Sequence, residues 1–355
     1  IGLVYLNVSG KLIYYKNGLQ PVSGVDISPK EVDNTSTLPT TTSNEYGNFI
    51  VEDLVGDKLY ELLLEKDEYG GQLDNYFDGL SAVDPSRIYR HSVGLYNFTE
   101  KEKLAANVNF DYRCEDDQGG SMGTYDEEGE CLTLCNKGDC EQAAENYDWV
   151  PIIEAGDASK VARYAAGIIE DFDDQCDPHW IFINPDMDLM IDNETCEDIP
   201  YEINLESSIS DLVFEGIRLG DVSGSWSVPF GNREDEELSL ELPETFIINS
   251  DNIESVFDLP ISLTNPQGVT IEGLQFILEY DAEMIQLNEV KPSEPLNDYT
   301  IFYQNNTTSI PAELSVIVYY NGTGELFSDE GEILSLSGNG LSTGTTTISF
   351  SAVQI

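Results

Sequence analysis

A chain of 355 residues, 40% of them apolar, can bury several cores and is expected to divide into two to four domains, which excludes a disordered polymer. Its 67 Asp and Glu residues against 16 Lys and Arg give a formal charge of −51, which repels phosphate backbones and anionic lipid surfaces and excludes nucleic acid as a partner. No apolar run reaches the roughly 18 residues needed to span a membrane.

The chain opens on Ile1-Gly2-Leu3-Val4-Tyr5-Leu6 with no signal peptide, as a processed N-terminus would. Residues 1–66 consist of short alternating runs separated by Asn-Gly, Ser-Gly and Gly-Asp turns, the pattern of an all-β sandwich. With Thr42-Ser43-Asn44-Glu45-Tyr46-Gly47-Asn48-Phe49 as its most specific piece, this stretch resembles the carboxypeptidase-regulatory-like and collagen-adhesin B-type repeats. Some of those repeats carry a Lys–Asn isopeptide bond, for which Lys11 is the candidate lysine, with no acidic helper assigned. The resemblance implies a stiff spacer.

Residues 67–230 contain a repeat: Ala82, Asp84, Ser86, Arg90 and Gly94 recur 73 positions later as Ala155, Asp157, Ser159, Arg163 and Gly167. Arg87 and Ile88 recur as the similar Lys160 and Val161. Each copy predicts a helix entered through an Asp and left at a Gly in the left-handed conformation. Ahead of the second helix, Asn107, Asn109 and Asp111 place oxygen ligands at alternate positions, as the first half of an EF-hand-type calcium loop does.

These paired helices, the Asn107-Val108-Asn109-Phe110-Asp111 run and the later Leu219-Gly220-Asp221-Val222-Ser223-Gly224-Ser225-Trp226 resemble the dockerin-like modules of bacterial surface proteins. The resemblance implies Ca²⁺ bound by Asn107, Asn109, Asp111 and Asp157. In the first copy, Asp74-Asn75-Tyr76-Phe77-Asp78-Gly79 puts Tyr where an oxygen ligand belongs, and Asp84 arrives one residue early for a twelve-residue loop. Asp221, Ser223 and Ser225 have the alternate spacing of ligands 1, 3 and 5, so the late segment is expected to fold back and complete that site. The alternative is that Asp84 and Asp157 serve only as helix caps and residues 220–226 only as a turn.

Cys114, Cys131, Cys135 and Cys140 fall in an insertion at about 112–150 that is too poor in apolar residues to form a core, so disulfides are the expected substitute. Cys176 and Cys196 are expected to pair, a constraint of about 3 kcal/mol. The rival reading of Cys131, Cys135 and Cys140 is a zinc site, but acidic neighbours and no nearby His speak against it. Disulfides place the protein outside a reducing cytosol, extracellular or at the cell surface. Asn7, Asn34, Asn97, Asn193, Asn305, Asn306 and Asn321 are N-glycosylation acceptors by sequence. The segments around Cys176–Pro185 and Phe214–Asp221 read as strands packing on the helix pair, with Trp180 and Trp226 as core or cap residues.

Residues 231–238 are charged and turn-rich, as a linker would be. Beyond them the chain alternates again, with Leu274, Phe276, Leu278 and Tyr280 on one face. Leu259-Pro260-Ile261-Ser262-Leu263 and Gly273-Leu274-Gln275-Phe276-Ile277-Leu278-Glu279-Tyr280-Asp281 resemble a cohesin-type jelly-roll sandwich over residues 239–355. The fold class expected is therefore mainly β: two sandwiches flanking a small dockerin-like α-helical calcium unit with a Cys-rich insertion.

A cohesin-type sandwich has one further strand after the position of Ile355, while residues 1–8 read as a spare strand. A filament of identical subunits joined head to tail by strand addition is the function expected from that pairing. The alternative is a cohesin/dockerin-type binding module that recruits other proteins or polysaccharide. His91 and His179 are the two histidines and neither is flanked by a nucleophile motif, so no enzyme is expected.

Overall fold

The computed structural model describes residues 3–16, 20–32, 38–66, 80–109, 112–116, 124–125, 131–133, 147–169, 172, 180–184, 200–226, 238–243, 245–248, 256–322 and 325–355. Among them the chain is mainly β, with helices α1 (Val83–Ser92), α2 (Glu100–Ala106) and α3 (Ala155–Ala165). It forms two compact units: residues 1–72, 98–153 and 173–220 make the first, and residues 73–97, 154–172 and 221–355 the second.

The first unit is built on β1 (Tyr5–Tyr14), β2 (Asp26–Glu31), β3 (Thr41–Thr42), β4 (Asn48–Val55) and β5 (Lys58–Glu65). Two further pairs, β6 (Tyr112–Asp116) with β9 (Tyr147–Pro151) and β7 (Thr124–Tyr125) with β8 (Cys131–Thr133), lie in the region of the expected insertion. The sandwich does not end at residue 66. β10 (Trp180–Ile183), β11 (Tyr201–Leu205) and β12 (Ile209–Arg218) complete its two sheets, ordered β10-β12-β1-β4 and β11-β5-β2-β3. The late strands thus find their partners in β1 and β5. β1 is sequestered by this, running parallel to β12 on one side and antiparallel to β4 on the other. From Tyr5 onward it is a central strand and not a spare one.

Alternation explains the core. Val8, Leu12 and Tyr14 of β1 are buried with Ile27, Phe49, Val51, Tyr60, Leu62 and Phe214, and Tyr201 meets the Phe214 ring edge-on at 5.2 Å to bind the two sheets together. Gly10 is required where β1 meets β12, since a Cβ there would lie 2.1 Å from the Leu212 carbonyl oxygen. α2 starts with a capping box: the Thr99 amide donates to Glu102 Oε2 at 2.8 Å and the Glu102 amide to Thr99 Oγ1 at 3.3 Å. Glu102 also pairs with Lys16, and Lys101 with Glu215, which ties α2 to the sheet.

Among the described residues the second unit is a sandwich of nine strands: β13 (Ser239–Glu241), β14 (Thr245–Ile248), β15 (Val256–Thr264), β16 (Gly273–Tyr280), β17 (Ile285–Pro292), β18 (Tyr299–Asn306), β19 (Ala312–Tyr320), β20 (Gly331–Gly340) and β21 (Gly344–Gln354). Its sheets are ordered β13-β15-β20-β17 and β14-β21-β16-β19-β18. Leu274, Phe276, Leu278 and Tyr280 all join the core between them, with Leu314, Val316, Val318, Leu334 and Leu336. β21 is paired on both sides, with β14 and with β16. Among the described residues the last strand therefore has a neighbour on both sides and β1 is central in its own sheet, so head-to-tail strand addition is not supported. The charged stretch 231–237 lies outside the described residues.

Candidate functional site

The second unit also contains α1 and α3, and both lie on the outer face of its five-stranded sheet. Each ends as its sequence dictates. Gly94 and Gly167 take φ of 78° and 72°, and the next residue's amide closes the helix, Leu95 to the Arg90 carbonyl at 2.7 Å and Ile168 to the Arg163 carbonyl at 2.8 Å. The starts match as well, though not as expected. Asp84 and Asp157 are residues of the first turn rather than the caps before it, and each carboxylate reaches back, Asp84 Oδ2 accepting the Ser81 amide at 2.7 Å and Asp157 Oδ2 the Glu154 amide at 2.9 Å.

Side-chain size explains how two helices fit flat on a sheet. Ala82, Ala162 and Ala166 pack on Ile317 and Tyr319, with Ala165, Ile168 and Phe302 around them. Ile317 is fully buried by this, worth roughly 1.5–3 kcal/mol for a large aliphatic side chain. Gly273 lets the chain come closest, because a Cβ on it would lie 2.4 Å from the Ala82 carbonyl oxygen. Gln275, itself buried, donates to the Leu80 carbonyl at 2.9 Å.

At the rim of this contact Arg87 Nε donates to Glu272 Oε2 at 3.0 Å and Arg90 Nη1 to Glu272 Oε1 at 2.9 Å. Both guanidinium groups stand over the Tyr96 ring, at 5.7 Å and 6.0 Å from its centroid. Burial alone disfavours the Arg87 charge, but the Glu272 charge and hydrogen bond outweigh it and hold Arg87 above the usual arginine range.

Beside the start of α1 the late segment does fold back onto the first copy. The Ser223 amide donates to Asp84 Oδ1 at 2.7 Å, and Ser223 Oγ to Asp221 Oδ1 at 3.2 Å. Asp221 accepts the amides of Gly224 at 2.6 Å, Ser225 at 3.0 Å and Trp226 at 2.7 Å. Both carboxylates are fully buried, and burial first, then the Asp221 charge, holds the Asp84 carboxyl far above the ordinary carboxylate range. The donor set of Asp84, Asp221, Ser81, Ser223 and Ser225 is all oxygen, which suits Ca²⁺ and not a thiophilic metal. Among the described residues no group of three or more His, Cys, Asp or Glu side chains comes together.

Asn107 and Asn109 belong to the first unit and Asp157 to the second. Asp74, Asp78, Asp111, Asn34, Asn193, Cys135, Cys140, Cys176 and Cys196 lie outside the described residues, and of Cys114 and Cys131 only the strand backbone is described. Asn97 and Asn306 are exposed. Asn7 accepts the Asp53 amide, Asn321 donates to Thr300, and Asn305 accepts the Tyr280 hydroxyl at 2.6 Å and donates to the Leu287 carbonyl at 3.1 Å.

Glu272, Gly273, Ile317 and Tyr319 were missed as site residues. The signal was present in β19: from Val316 to Tyr320 the run is wholly apolar, as in a strand covered on both faces, where alternation alone would have required polar residues at 317 and 319.

Residues 248–354 match the family model of the cohesin domain, so the second unit contains a cohesin-like β-sandwich, a class of non-catalytic binding module. No curated protein matches the chain. Solved structures similar to it include a chain of the Coh-OlpA-Doc918 type I cohesin–dockerin complex of Clostridium thermocellum (17% identity, 33% of this chain and 84% of that one, TM-score 0.26). A cohesin module of a Clostridium perfringens family 33 glycoside hydrolase (16%, 31% and 79%, TM-score 0.24) and a non-cellulosomal cohesin of the archaeon Archaeoglobus fulgidus (16%, 30% and 78%, TM-score 0.20) are also similar. No helix among the described residues is long and apolar enough to cross a membrane.

Proposed function

We propose that this protein is an extracellular, non-catalytic assembly module. Its cohesin-like sandwich binds a dockerin-like helix pair on the outer face of the β16, β19 and β18 strands, and the chain supplies such a pair itself. The observation that carries this reading is the burial of Ile317 and Tyr319, on the outward side of the sheet, beneath Ala82, Ala162 and Ala166. The cohesin-domain match over residues 248–354 supports a binding role, and the resemblance of the repeated helices to dockerin modules supports the kind of partner. In this reading Asp84 and Asp221, with Ser223 and Ser225, hold one Ca²⁺ at the start of α1. The cation would favour the ionised form of both buried carboxylates, and the chain's own contribution is to bring Asp84 and Asp221 together at the start of α1.

The test uses the intact chain and an Ala162→Glu/Ala166→Glu variant, in which two carboxylates face Ile317 and lift the helices from an unaltered sheet. Both are titrated calorimetrically with a calcium-loaded dockerin module. Micromolar binding by either protein is the expected result. Failure of both to bind contradicts the module reading.

A further inference from the structure

We infer that Glu272 is the specificity-determining residue of this sheet face, and that through it the face is reserved for the chain's own helix pair. The inference rests on the binding-module reading above and goes beyond it. Alanine-lined packing is undiscriminating, since any helix with small residues at the right spacing lies flat on Ile317 and Tyr319. Charge is not undiscriminating here. The protein has 67 acidic side chains and only 16 Lys and Arg, yet two of those arginines stand one helical turn apart on α1, each donating to a different oxygen of one carboxylate.

Geometry makes the recognition demanding. Glu272 directly precedes Gly273, whose missing side chain admits the Ala82 carbonyl, so the carboxylate is fixed beside the point of closest approach. Tyr96, four residues beyond the end of α1, lies under both guanidinium groups and pre-orients them toward Glu272. A helix with acidic or neutral residues at both positions would leave Glu272 facing like charge or no charge at a site only about a fifth exposed. Since the chain's own α1 meets this requirement and is tethered, a helix pair arriving from outside must displace a matched competitor present at high effective concentration.

The experiment measures hydrogen–deuterium exchange by mass spectrometry on the intact chain, on Glu272→Arg, and on the Arg87→Glu/Arg90→Glu/Glu272→Arg triple variant. Glu272→Arg is expected to speed exchange of residues 83–92 by about tenfold or more while β20 keeps its protection, and the triple variant to recover most of the loss. Unchanged α1 exchange in Glu272→Arg, or a triple variant no better than the single one, overturns the assignment. In the calorimetric titration, Ala162→Glu/Ala166→Glu is expected to bind the dockerin module at least about tenfold more tightly than the intact chain. Equal binding by both overturns the reserved face while leaving the module reading standing, whereas binding by neither removes the module reading.

Discussion

The Ser223 amide donates to Asp84 Oδ1 at 2.7 Å across 139 positions of sequence, joining the entry of the first repeated helix to a segment that follows both helices. Asp84 also accepts the Ser81 amide and hydroxyl, so its carboxylate organises three donors, two of them on buried Ser81. Asp84→Ala would leave them without that acceptor. The expected cost is about 2–4 kcal/mol of the second unit's stability, read from the shift of its transition in urea.

Replacing the facing carboxylate tests the cation. Asp221→Ala is expected to lower the number of bound calcium ions by one in equilibrium dialysis, and chelation to lower the melting temperature of the intact chain more than that of the variant. Unchanged stoichiometry would show that Asp221 serves the turn alone, through its bonds to the amides of Gly224, Ser225 and Trp226.

Gly273 is a test of packing without charge. Its added Cβ would meet backbone, the Ala82 carbonyl at 2.4 Å, so neither side yields by rotating a side chain. Gly273→Ala is expected to destabilise the seating of α1 by about 1–3 kcal/mol, seen as faster amide exchange in residues 83–92 with an unchanged sandwich core.

Tyr299 gives the second unit an alkaline limit. Burial above all, with smaller contributions from neighbouring charges and against the Phe327 amide hydrogen bond, pushes its hydroxyl up to about 12, while an unfolded tyrosine ionises near 10. A raised folded-state value means that the contribution is fully present below about pH 10 and is lost as the pH rises toward about 12. Tyr299→Phe is expected to flatten the fall in stability across that window, at a neutral-pH cost of about 1 kcal/mol for the bond to the Ile271 carbonyl.

What was legible in the sequence was local. Gly94 and Gly167 announced two helix ends, Leu274 to Tyr280 announced a core-facing strand, and the spacing of Asp221, Ser223 and Ser225 announced a segment that returns to Asp84. What was not legible depends on distant partners. The parallel pairing of β1 with β12 joins residues about 200 positions apart, and nothing in the alternation of Tyr5–Tyr14 says which strand lies on either side. A strand that is central in a sheet therefore read as spare. Likewise Glu272 is one carboxylate among 67, and only its meeting with Arg87 and Arg90 distinguishes it.

The central claim is that the chain's own helix pair sits on the outer face of the cohesin-like sandwich. A methyl-labelled nuclear Overhauser spectrum of the intact protein tests this directly. The account predicts cross-peaks from the Ala162 or Ala166 methyl to the Ile317 side chain, alongside those within the sandwich core. Core cross-peaks without any between those alanines and Ile317 would contradict it.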